Sequence, residues 1–365
     1  MRIVFATLAA AAMCAAQSAH LRTAPRHALP THIDGNSPAF WENGSLRLFS
    51  STGNPEMISE APGQFGPWTS EKVDVSRHNH FPLWIEAAWR DDDGAIFGWY
   101  HHEPDAVCPG KSLTAPKIGA VISYDGGRTV TDLGIVLESA DALDCNAKNG
   151  FFAGGHGDFS VVPDRDRGYF YFFFTNYGGR AEEQGVATAR LAFDDRYHPA
   201  GAVKKYYRGQ WSEPGIGGRT TPVFPAARAW QREDTDSYWG PAVHWNHHLQ
   251  RFVMLLNRSC CKPGWPQEGI YVSFAADPGM PSQWSGPSRI LEGAKTGVAP
   301  GYYPQVMGLE YGETDTLAGR IARLYIMGVS SWEIVFVSDP GGGDPADQNP
   351  DSDHSDQPVD ADTLK

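Results

Sequence analysis

Three acidic residues stand inside or beside apolar segments of the chain. Glu86 lies within the run LWIEAAW, where a buried carboxylate is costly unless it is paired. Asp158 directly precedes the apolar run FSVV, and Asp34 opens the stretch DGNSPAFW. Asp34 and Asp158 could instead bond the amides of local turns. Burial would raise the pKa of Glu86 toward that of a general acid.

Two carboxyl groups that face one aromatic-lined cavity suit glycoside hydrolysis. One protonates the leaving oxygen, and the other acts as base or nucleophile. The chain has 12 Trp, 14 Tyr and 18 Phe, whose rings could stack on sugar faces. Any single one of these rings is more often part of the core than a sugar contact. The predicted catalytic residues are Asp34, Asp158 and Glu86.

Histidines accompany these carboxylates along the chain. His156 lies two residues before Asp158, the pair His101-His102 precedes Glu103, and His244 lies in an apolar segment. Such histidines could complete a metal site with a carboxylate. A lone histidine in a channel more often hydrogen-bonds a sugar or a carboxylate. We predict no metal ligands and no cofactor, and a calcium ion in the channel stays open as an alternative.

Five segments of the chain repeat one pattern, which indicates the fold that must position these residues. Each has a small or polar start, an apolar strand, a turn and a second apolar or aromatic strand. Asn43-Gly44, Asp93-Gly94 and Arg167-Gly168 supply turns that need positive φ. Third strands are predicted within 119–125, 185–193 and 269–277, and fourth strands within 132–138 and 287–292. The five segments are 34–51, 83–103, 154–177, 238–259 and 303–331.

Repeats on this scale predict an all-β fold, a five-bladed β-propeller spanning residues 30–338. In a propeller the inner strand of each blade lines a central channel, and the strand starts meet at one face. Residues at the five strand starts should therefore converge in one pocket. The predicted substrate contacts are His156, Trp239, His244, Tyr303, Gln305, Glu103 and Glu268.

The layout resembles the five-bladed propeller glycoside hydrolases of families 43, 32, 62 and 68 over about residues 30–337. The resemblance implies a first-blade Asp as base or nucleophile, matched by Asp34, and a mid-chain Asp that supports the transition state, matched by Asp158. It also implies a Glu as acid, often in an E-G-P-like stretch that opens the fourth blade. Here that stretch is Trp239-Gly240-Pro241, so the acid must lie elsewhere. Glu86 is preferred over Glu103 and Glu268.

Further phrases resemble those of an uncharacterised bacterial exported family with the same layout. They are GWYHHEP, TAPKIGA, GHGDFSVV, WGPAVHWN and YYPQV. Residues 123–134, SYDGGRTVTDLG, resemble one Asp-box of the sialidase propellers, with Val130 in place of Trp. We interpret that stretch as a structural hairpin turn.

The resemblance to glycoside hydrolases predicts that the substrate is a polysaccharide or oligosaccharide. The alternative is a propeller that binds carbohydrate without cleaving it.

The ends of the chain and its composition indicate where the protein is located and which partners it has. Residues 1–19 have the pattern of a secretory signal peptide, which predicts a secreted or periplasmic protein. The remaining cysteines predict a Cys108–Cys145 disulfide, and Cys260 and Cys261 could form a vicinal bridge or stay free. The net charge of −13 includes an acidic tail, 339–365, that is predicted to be disordered. The absence of a basic stripe or a long apolar run predicts no nucleic-acid partner and no membrane span, and the oligomeric state is undetermined.

Overall fold

The computed structural model describes residues 17–53, 56–76 and 82–338, and these form five β-sheets around a central channel. The predicted all-β, five-bladed propeller is thereby confirmed. The predicted acidic tail, and all but the end of the predicted signal peptide, lie outside the described residues. Among the described ranges, no helix has the length and apolar character needed to cross a bilayer.

The chain enters the propeller with strand β1 (Ser18–Ala28), which belongs to the last blade. Blade 1 follows, with β2 (Ala39–Glu42), β3 (Ser45–Phe49), β4 (Met57–Ala61) and β5 (Thr69–Lys72) in that spatial order. Blade 2 contains β6 (Asp74–Ser76), β7 (Leu83–Arg90), β8 (Ile96–His102), β9 (Lys117–Ser123) and β10 (Thr129–Leu137). In blade 2 the spatial order is β7-β8-β9-β10-β6, and β6 runs parallel to β10.

Blades 3 and 4 follow along the chain. Blade 3 comprises β11 (His156–Asp164), β12 (Tyr169–Asn176), β13 (Gly185–Ala192), β14 (Lys204–Tyr207), β15 (Gln210–Pro214) and the short β16 (Phe224–Pro225). Blade 4 comprises β17 (Asp236–Asn246), β18 (Arg251–Cys260), β19 (Gln267–Ala275) and β20 (Ser288–Glu292). Short 3₁₀ turns lie at Ala181–Glu183, Phe193–Asp195, Pro281–Gln283 and Gly293–Lys295.

Blade 5 is assembled from both ends of the described chain. Its strands are β21 (Pro304–Gly308), β23 (Ile321–Ile326), β24 (Val329–Val337) and finally β1. The intervening β22 (Leu317–Ala318) pairs instead with β17 of blade 4, so the fifth segment is not the simple hairpin that the sequence predicts. The loop between β21 and β23 thus covers the free edge of β17, where the backbone amide of Trp245 donates to Thr316.

Alternation along the strands explains the aromatic run of β12. Phe170, Phe172 and Phe174 pack toward blade 2 in one apolar cluster with Trp99. The intervening Tyr171 and Phe173 pack toward blade 4 in a second cluster. Successive side chains of a strand point to opposite faces of the sheet, so a strand buried on both faces is apolar throughout. This sandwiching holds blade 3 between its neighbours and fixes the inner strand β11.

The turns follow the sequence signals. Asn43 and Gly44 both adopt positive φ, at 52° and 84°, in the two-residue turn between β2 and β3. In the stretch that resembles an Asp-box, the amide of Gly127 donates to Ser123 Oγ, and the amide of Thr129 donates to Asp125 Oδ1. Both distances are 2.9 Å, and this stretch forms the hairpin between β9 and β10.

Deleting Ser18–Ala28 should destabilise the protein, because β1 pairs with β24 along the outer edge of blade 5. We expect the apparent melting temperature to fall by on the order of 10 °C, measured by differential scanning fluorimetry. The matched control is Arg22→Gln, which removes only the exposed ion pair with Glu333 and should cost about 0–1 kcal/mol. Equal melting temperatures for the deletion and the wild type would show that β1 does not close the ring.

Candidate functional site

A cavity of about 490 Å³ opens on the channel face where the inner strands start. All five blades contribute side chains to it, as the convergence argument predicts. Six of the predicted site residues line the cavity: Asp34, Glu86, Glu103, Asp158, Trp239 and Tyr303. The other lining residues are Trp84, His101, Phe151, Phe152, Gly264, Trp265, Pro300, Tyr302 and Met327.

Bulges in two neighbouring inner strands lie at the central carboxylates. In β11, Gly157 pairs with Thr175 and Phe159 with Phe174, so Asp158 has no partner across the ladder and takes φ of 40°. In β7, Ile85 pairs with Tyr100 and Ala87 with Trp99, so Glu86 is likewise the extra residue. A bulge re-aims a side chain and releases backbone groups from the ladder. Both carboxyl groups consequently lie in the same cavity.

The released backbone of β11 bonds to side chains of blade 2. The amide of Phe159 donates to Glu86 Oε2 at 3.0 Å, and the amide nitrogen of Asp158 lies 3.1 Å from His101 Nδ1. Tyr177 donates its hydroxyl proton to Asp158 Oδ2. Oxygen and nitrogen atoms of Glu86, His101 and Asp158 lie within 4.8 Å of one another. These contacts build one polar cluster from two blades.

Burial sets the protonation of the two carboxyl groups. Desolvation raises the pKa of Glu86, and the hydrogen bond and charge of His101 offset only part of that effect. Desolvation also raises the pKa of Asp158, to about 7, where His101 opposes the rise and the like charge of Glu86 adds to it. Two buried carboxylates this close cannot both be ionised cheaply. The pair therefore retains a proton near neutral pH.

His101 connects this pair to the pocket mouth. Its Nδ1 lies 3.4 Å from Glu86 Oε1, and its Nε2 lies 3.3 Å from Glu103 Oε1. Burial alone would lower the pKa of His101, but Glu103 and Glu86 outweigh it and raise the pKa well above its usual value. The sequence analysis named His101 only among the histidines that could complete a metal site, and not among the catalytic residues or substrate contacts. It was left out of those because it lies at the end of the second strand of its blade, away from the strand starts that were expected to converge.

Asp34 lies exposed at the mouth, above the buried pair. Its backbone amide donates to the Ser51 carbonyl at 2.8 Å. The next residue, Gly35, has φ of 142°, and a Cβ there would lie 2.8 Å from Glu86 Oε1. Glycine is therefore required for this segment to approach Glu86. The surrounding protein raises the pKa of Asp34, chiefly by desolvation, despite the opposing charge of His32.

Aromatic rings form the walls of the cavity on the side of blades 3, 4 and 5. Trp265 is the centre of this group, with its ring 5.4 Å from that of Trp239 and 5.0 Å from that of Phe151. Trp239 also contacts Tyr302 and Tyr303 edge-on. Trp265 and Phe151 were missed as site residues because both lie in loops. In a loop, no alternation of side chains shows which residues point toward the cavity. Trp239 and Trp265 are almost fully buried, whereas Phe151 has 47% of its surface exposed and offers a ring on which a sugar could stack.

Two of the predicted histidine contacts do not reach the cavity. His156 is buried in blade 3, where its Nε2 accepts a hydrogen bond from Lys205 Nζ at 2.8 Å. Desolvation and then the charge of Lys205 lower the pKa of His156. His244 is buried against Phe336 at a ring distance of 5.3 Å, and desolvation lowers its pKa to about 3.

Gln305 and Glu268 also lie away from the cavity walls. The side-chain amide of Gln305 bonds both backbone groups of Ser37, at 2.6 and 2.9 Å, and so joins blade 5 to blade 1. Glu268 accepts hydrogen bonds from Tyr271 and Arg289 on the outer part of blade 4. Glu268 is thus outside the cavity that holds the other carboxyl groups.

Two clusters within the described residues have the composition of a cation site. Glu86, His101 and Asp158 could each offer one ligand atom to a divalent cation. Side-chain atoms of all three residues also contact protein partners, as described above. Asp236, Cys260 and Cys261 form the second cluster, but both cysteines are joined in a disulfide.

Disulfides fasten both loops that carry the aromatic wall. The predicted Cys108–Cys145 bond is present and closes the long excursion of blade 2 that leads to Phe151. Cys260 and Cys261 form a vicinal disulfide at the end of β18, directly before the loop that carries Trp265.

Neither a protein-family model nor a curated protein sequence matches this chain. Similar solved structures include the α-L-arabinofuranosidase from Lactobacillus brevis, with a TM-score of 0.50 and 12% identity over 82% of this chain and 86% of that one. They also include the catalytic domain of the family 62 α-L-arabinofuranosidase from Coprinopsis cinerea, with a TM-score of 0.47 and 9% identity over 84% and 90% of the two chains. The endo-arabinase from Bacteroides thetaiotaomicron has a TM-score of 0.48 and 10% identity over 84% and 95%. Many of the structural neighbours are five-bladed glycoside hydrolases, and at these identities the likeness concerns the fold.

Asp158→Asn should flatten the pH dependence of stability. The native pKa of Asp158 is raised, so the unfolded chain loses this proton first and wild-type stability falls between about pH 4 and 7. We expect the free energy of unfolding of the variant, relative to wild type, to rise across that window by up to about 1.4 kcal/mol per pH unit. Urea unfolding at stepped pH measures the difference. The exposed Asp92→Asn is the matched control, and parallel curves for Asp158→Asn and wild type would contradict the burial of an acidic proton.

Proposed function

We propose that this protein is an exported glycoside hydrolase that acts on a polysaccharide or oligosaccharide through carboxyl groups in the central pocket. The observation that supports the proposal most directly is the buried Glu86–Asp158 pair, which retains a proton at the base of an aromatic-lined cavity. A third carboxyl group, that of Asp34, lies at the mouth of the same cavity. The propeller fold, shared with the L. brevis arabinofuranosidase, is compatible with this chemistry.

In this proposal the buried pair acts as one acid unit. Atoms of Glu86 and Asp158 lie within 4.8 Å, which leaves no room between them for a sugar carbon and its leaving oxygen. Glu86 is the general acid, because desolvation holds its proton until a leaving oxygen arrives. Asp158 shares that proton and stabilises positive charge that develops on the sugar ring.

Asp34 is the opposing base or nucleophile. Its exposed position permits contact with water, and the approach of Gly35 to Glu86 places the two carboxyl-bearing segments against each other. As a base it would take a proton from water while Glu86 gives one to the leaving oxygen, so the pocket ends the cycle with its proton moved from Glu86 to Asp34. Solvent exchange at the mouth restores both groups.

Export is part of the proposal. The Cys108–Cys145 and Cys260–Cys261 disulfides support it, because such bonds persist in oxidising compartments. A secreted or periplasmic location would give the enzyme access to extracellular glycans.

A screen of the purified protein against arabinans, xylans, fructans and galactans, with reducing-sugar detection, tests the proposal. On the active glycan, Asp34→Asn, Asp158→Asn and Glu86→Gln should each lower kcat by roughly 100- to 10 000-fold, because each removes acid, base or charge support. Circular dichroism checks that each variant is folded. Glu268→Gln is the matched control outside the pocket and should keep wild-type turnover.

The competing function is carbohydrate binding without turnover. It is favoured by the buried Trp239 at the start of blade 4, where the resembled enzymes carry their acidic Glu. Calorimetric binding of a glycan that is never cleaved would establish this alternative and overturn the hydrolase proposal. Assays run with and without a chelator show whether a divalent cation at the Glu86, His101 and Asp158 cluster contributes.

A further inference from the structure

We infer that a second cavity, on the face of the propeller opposite the candidate site, binds an uncharged stretch of glycan without cleaving it. Its volume of about 630 Å³ lies within the range of ligand pockets, about 300–1,000 Å³. The inference goes beyond the proposed function, and only the choice of test glycans rests on that function. Three features carry it: a position separate from the candidate site, accessible indole rings and compensated charges.

The second cavity lies at the far ends of inner strands that begin at the candidate site. In β17, Trp239 lines the candidate site and Trp245 lines the second cavity. In β11, the corresponding residues are Asp158 and Asp164. At about 3.3 Å per residue, this length of strand places the two linings on the order of 20 Å apart. No residue of the described chain lines both cavities.

Side chains that cross the channel separate the two cavities. The amide nitrogen of Asn36 donates to the carbonyls of Phe159 and Pro241, at 2.8 and 3.2 Å, and so joins blades 1, 3 and 4. Both carbonyls belong to inner strands, between the residues that line the two cavities. Gln305 joins blade 5 to blade 1 beside Asn36. A ligand in the second cavity is therefore held apart from the buried carboxyl pair.

Two indole rings give the second cavity an accessible apolar surface. Trp41 of blade 1 and Trp245 of blade 4 both line it, and both are partly exposed. Trp239 and Trp265 of the candidate site are almost fully buried by comparison. A sugar ring has an apolar face of C–H groups, and an exposed aromatic ring can pack against that face.

The loop between β21 and β23 holds these two rings in place. Trp41 Nε1 donates to the Glu313 carbonyl at 2.8 Å, and the amide of Trp245 donates to the Thr316 carbonyl at 2.9 Å. The buried carboxylate of Glu313 in turn accepts a hydrogen bond from the Leu309 amide at 2.8 Å. Because the rings are attached to one loop before a ligand arrives, binding loses little side-chain entropy.

Each of the three arginine side chains that line the cavity faces a carboxylate. The nitrogen-to-oxygen distances are 2.7 Å for Arg167 to Asp164, 3.4 Å for Arg165 to Asp92 and 4.0 Å for Arg90 to Glu42. The positive charges are thus compensated within the protein, and an anionic ligand would compete with these carboxylates. Sugar hydroxyl groups donate and accept at once, so they suit such ion pairs and the lining hydroxyls of Thr314 and Thr316.

The acidic residues of this lining are not arranged for cleavage. They are Asp164 and Asp166. Asp164 is bonded to Arg167 at 2.7 Å, and Asp166 is exposed to solvent. The described lining thus lacks a buried pair of carboxyl groups, which is the feature that supports hydrolysis at the candidate site. We therefore assign binding alone to the second cavity.

Hydroxyl-radical footprinting of the purified protein, read by mass spectrometry, tests the inference. The probes are soluble hexasaccharides of arabinan, xylan, fructan and galactan. At least one probe should protect Trp41 and Trp245 from oxidation and leave Trp211, on the outer part of blade 3, unchanged as the control. Unprotected rings with every probe would overturn the inference. Oxidation of both rings that rises at about 1 M NaCl without glycan would assign the cavity to a charged occupant, such as the acidic residues 339–365, and would equally reject it.

The place of protection separates this inference from the proposed function. Protection of Phe151 alone, at the candidate site, would rule out the second cavity and leave the hydrolase proposal intact. Protection of Trp41 and Trp245, with no sugar released from any glycan of the panel, would support the second cavity and reject the hydrolase.

Tyr311→Ala tests the binding surface without disturbing the core, because this side chain is 77% exposed and its ring lies 4.6 Å from that of Trp41. The glycan concentration that half-protects Trp245 should rise by about three- to tenfold, and that for Phe151 should not change. The matched control is Tyr124→Ala, which removes a 71% exposed ring in the hairpin between β9 and β10 and should alter neither value. An unchanged value for Trp245 in Tyr311→Ala would remove Trp41 from the binding surface, and the inference with it.

Discussion

The hydrogen bond from the Phe159 amide to Glu86 is the contact on which the candidate site depends. It forms because Asp158 interrupts the ladder of β11 and frees the following amide. The bond holds the carboxylate of blade 2 against the bulge of blade 3, where Glu86 and Asp158 are both almost fully buried. Burial then raises the pKa of both carboxyl groups, and His101 and Tyr177 complete the network. The local backbone irregularity thus permits this hydrogen bond, and the burial that goes with it favours retention of a proton.

Much of the fold could be predicted from the sequence, because propeller blades are made by local signals. A pair of apolar strands repeats five times, with a turn glycine in three of the repeats, and the start of each inner strand must approach the channel. This argument predicts that Asp34, Glu86 and Asp158 lie in one pocket, and all three line the cavity. The short β22 could not be anticipated, since its pairing with β17 is decided by the free edge of another blade.

The site was harder to predict where the direction of a side chain depends on more than its position in a strand. His156 and Asp158 lie two residues apart in β11, yet the bulge turns Asp158 into the pocket and leaves His156 bonded to Lys205 inside the blade. Gln305 lies at a strand start and bonds the neighbouring blade instead. Trp265 and Phe151 belong to loops whose course is set by disulfides and by each other. The hydrophobic periodicity of a single sequence does not predict such contacts.

The position of β1 determines when the ring of blades can close during folding. The first strand of the propeller to be synthesised pairs with the last one, β24, so the ring cannot close until almost the whole described chain has been made. Blades 1 to 4 can form in order as they emerge, but blade 5 joins ends separated by some three hundred residues, and contacts of such separation form slowly. Until β24 has been made, β1 has no neighbouring strand to pair with. Closure of the ring is therefore coupled to the synthesis of β24.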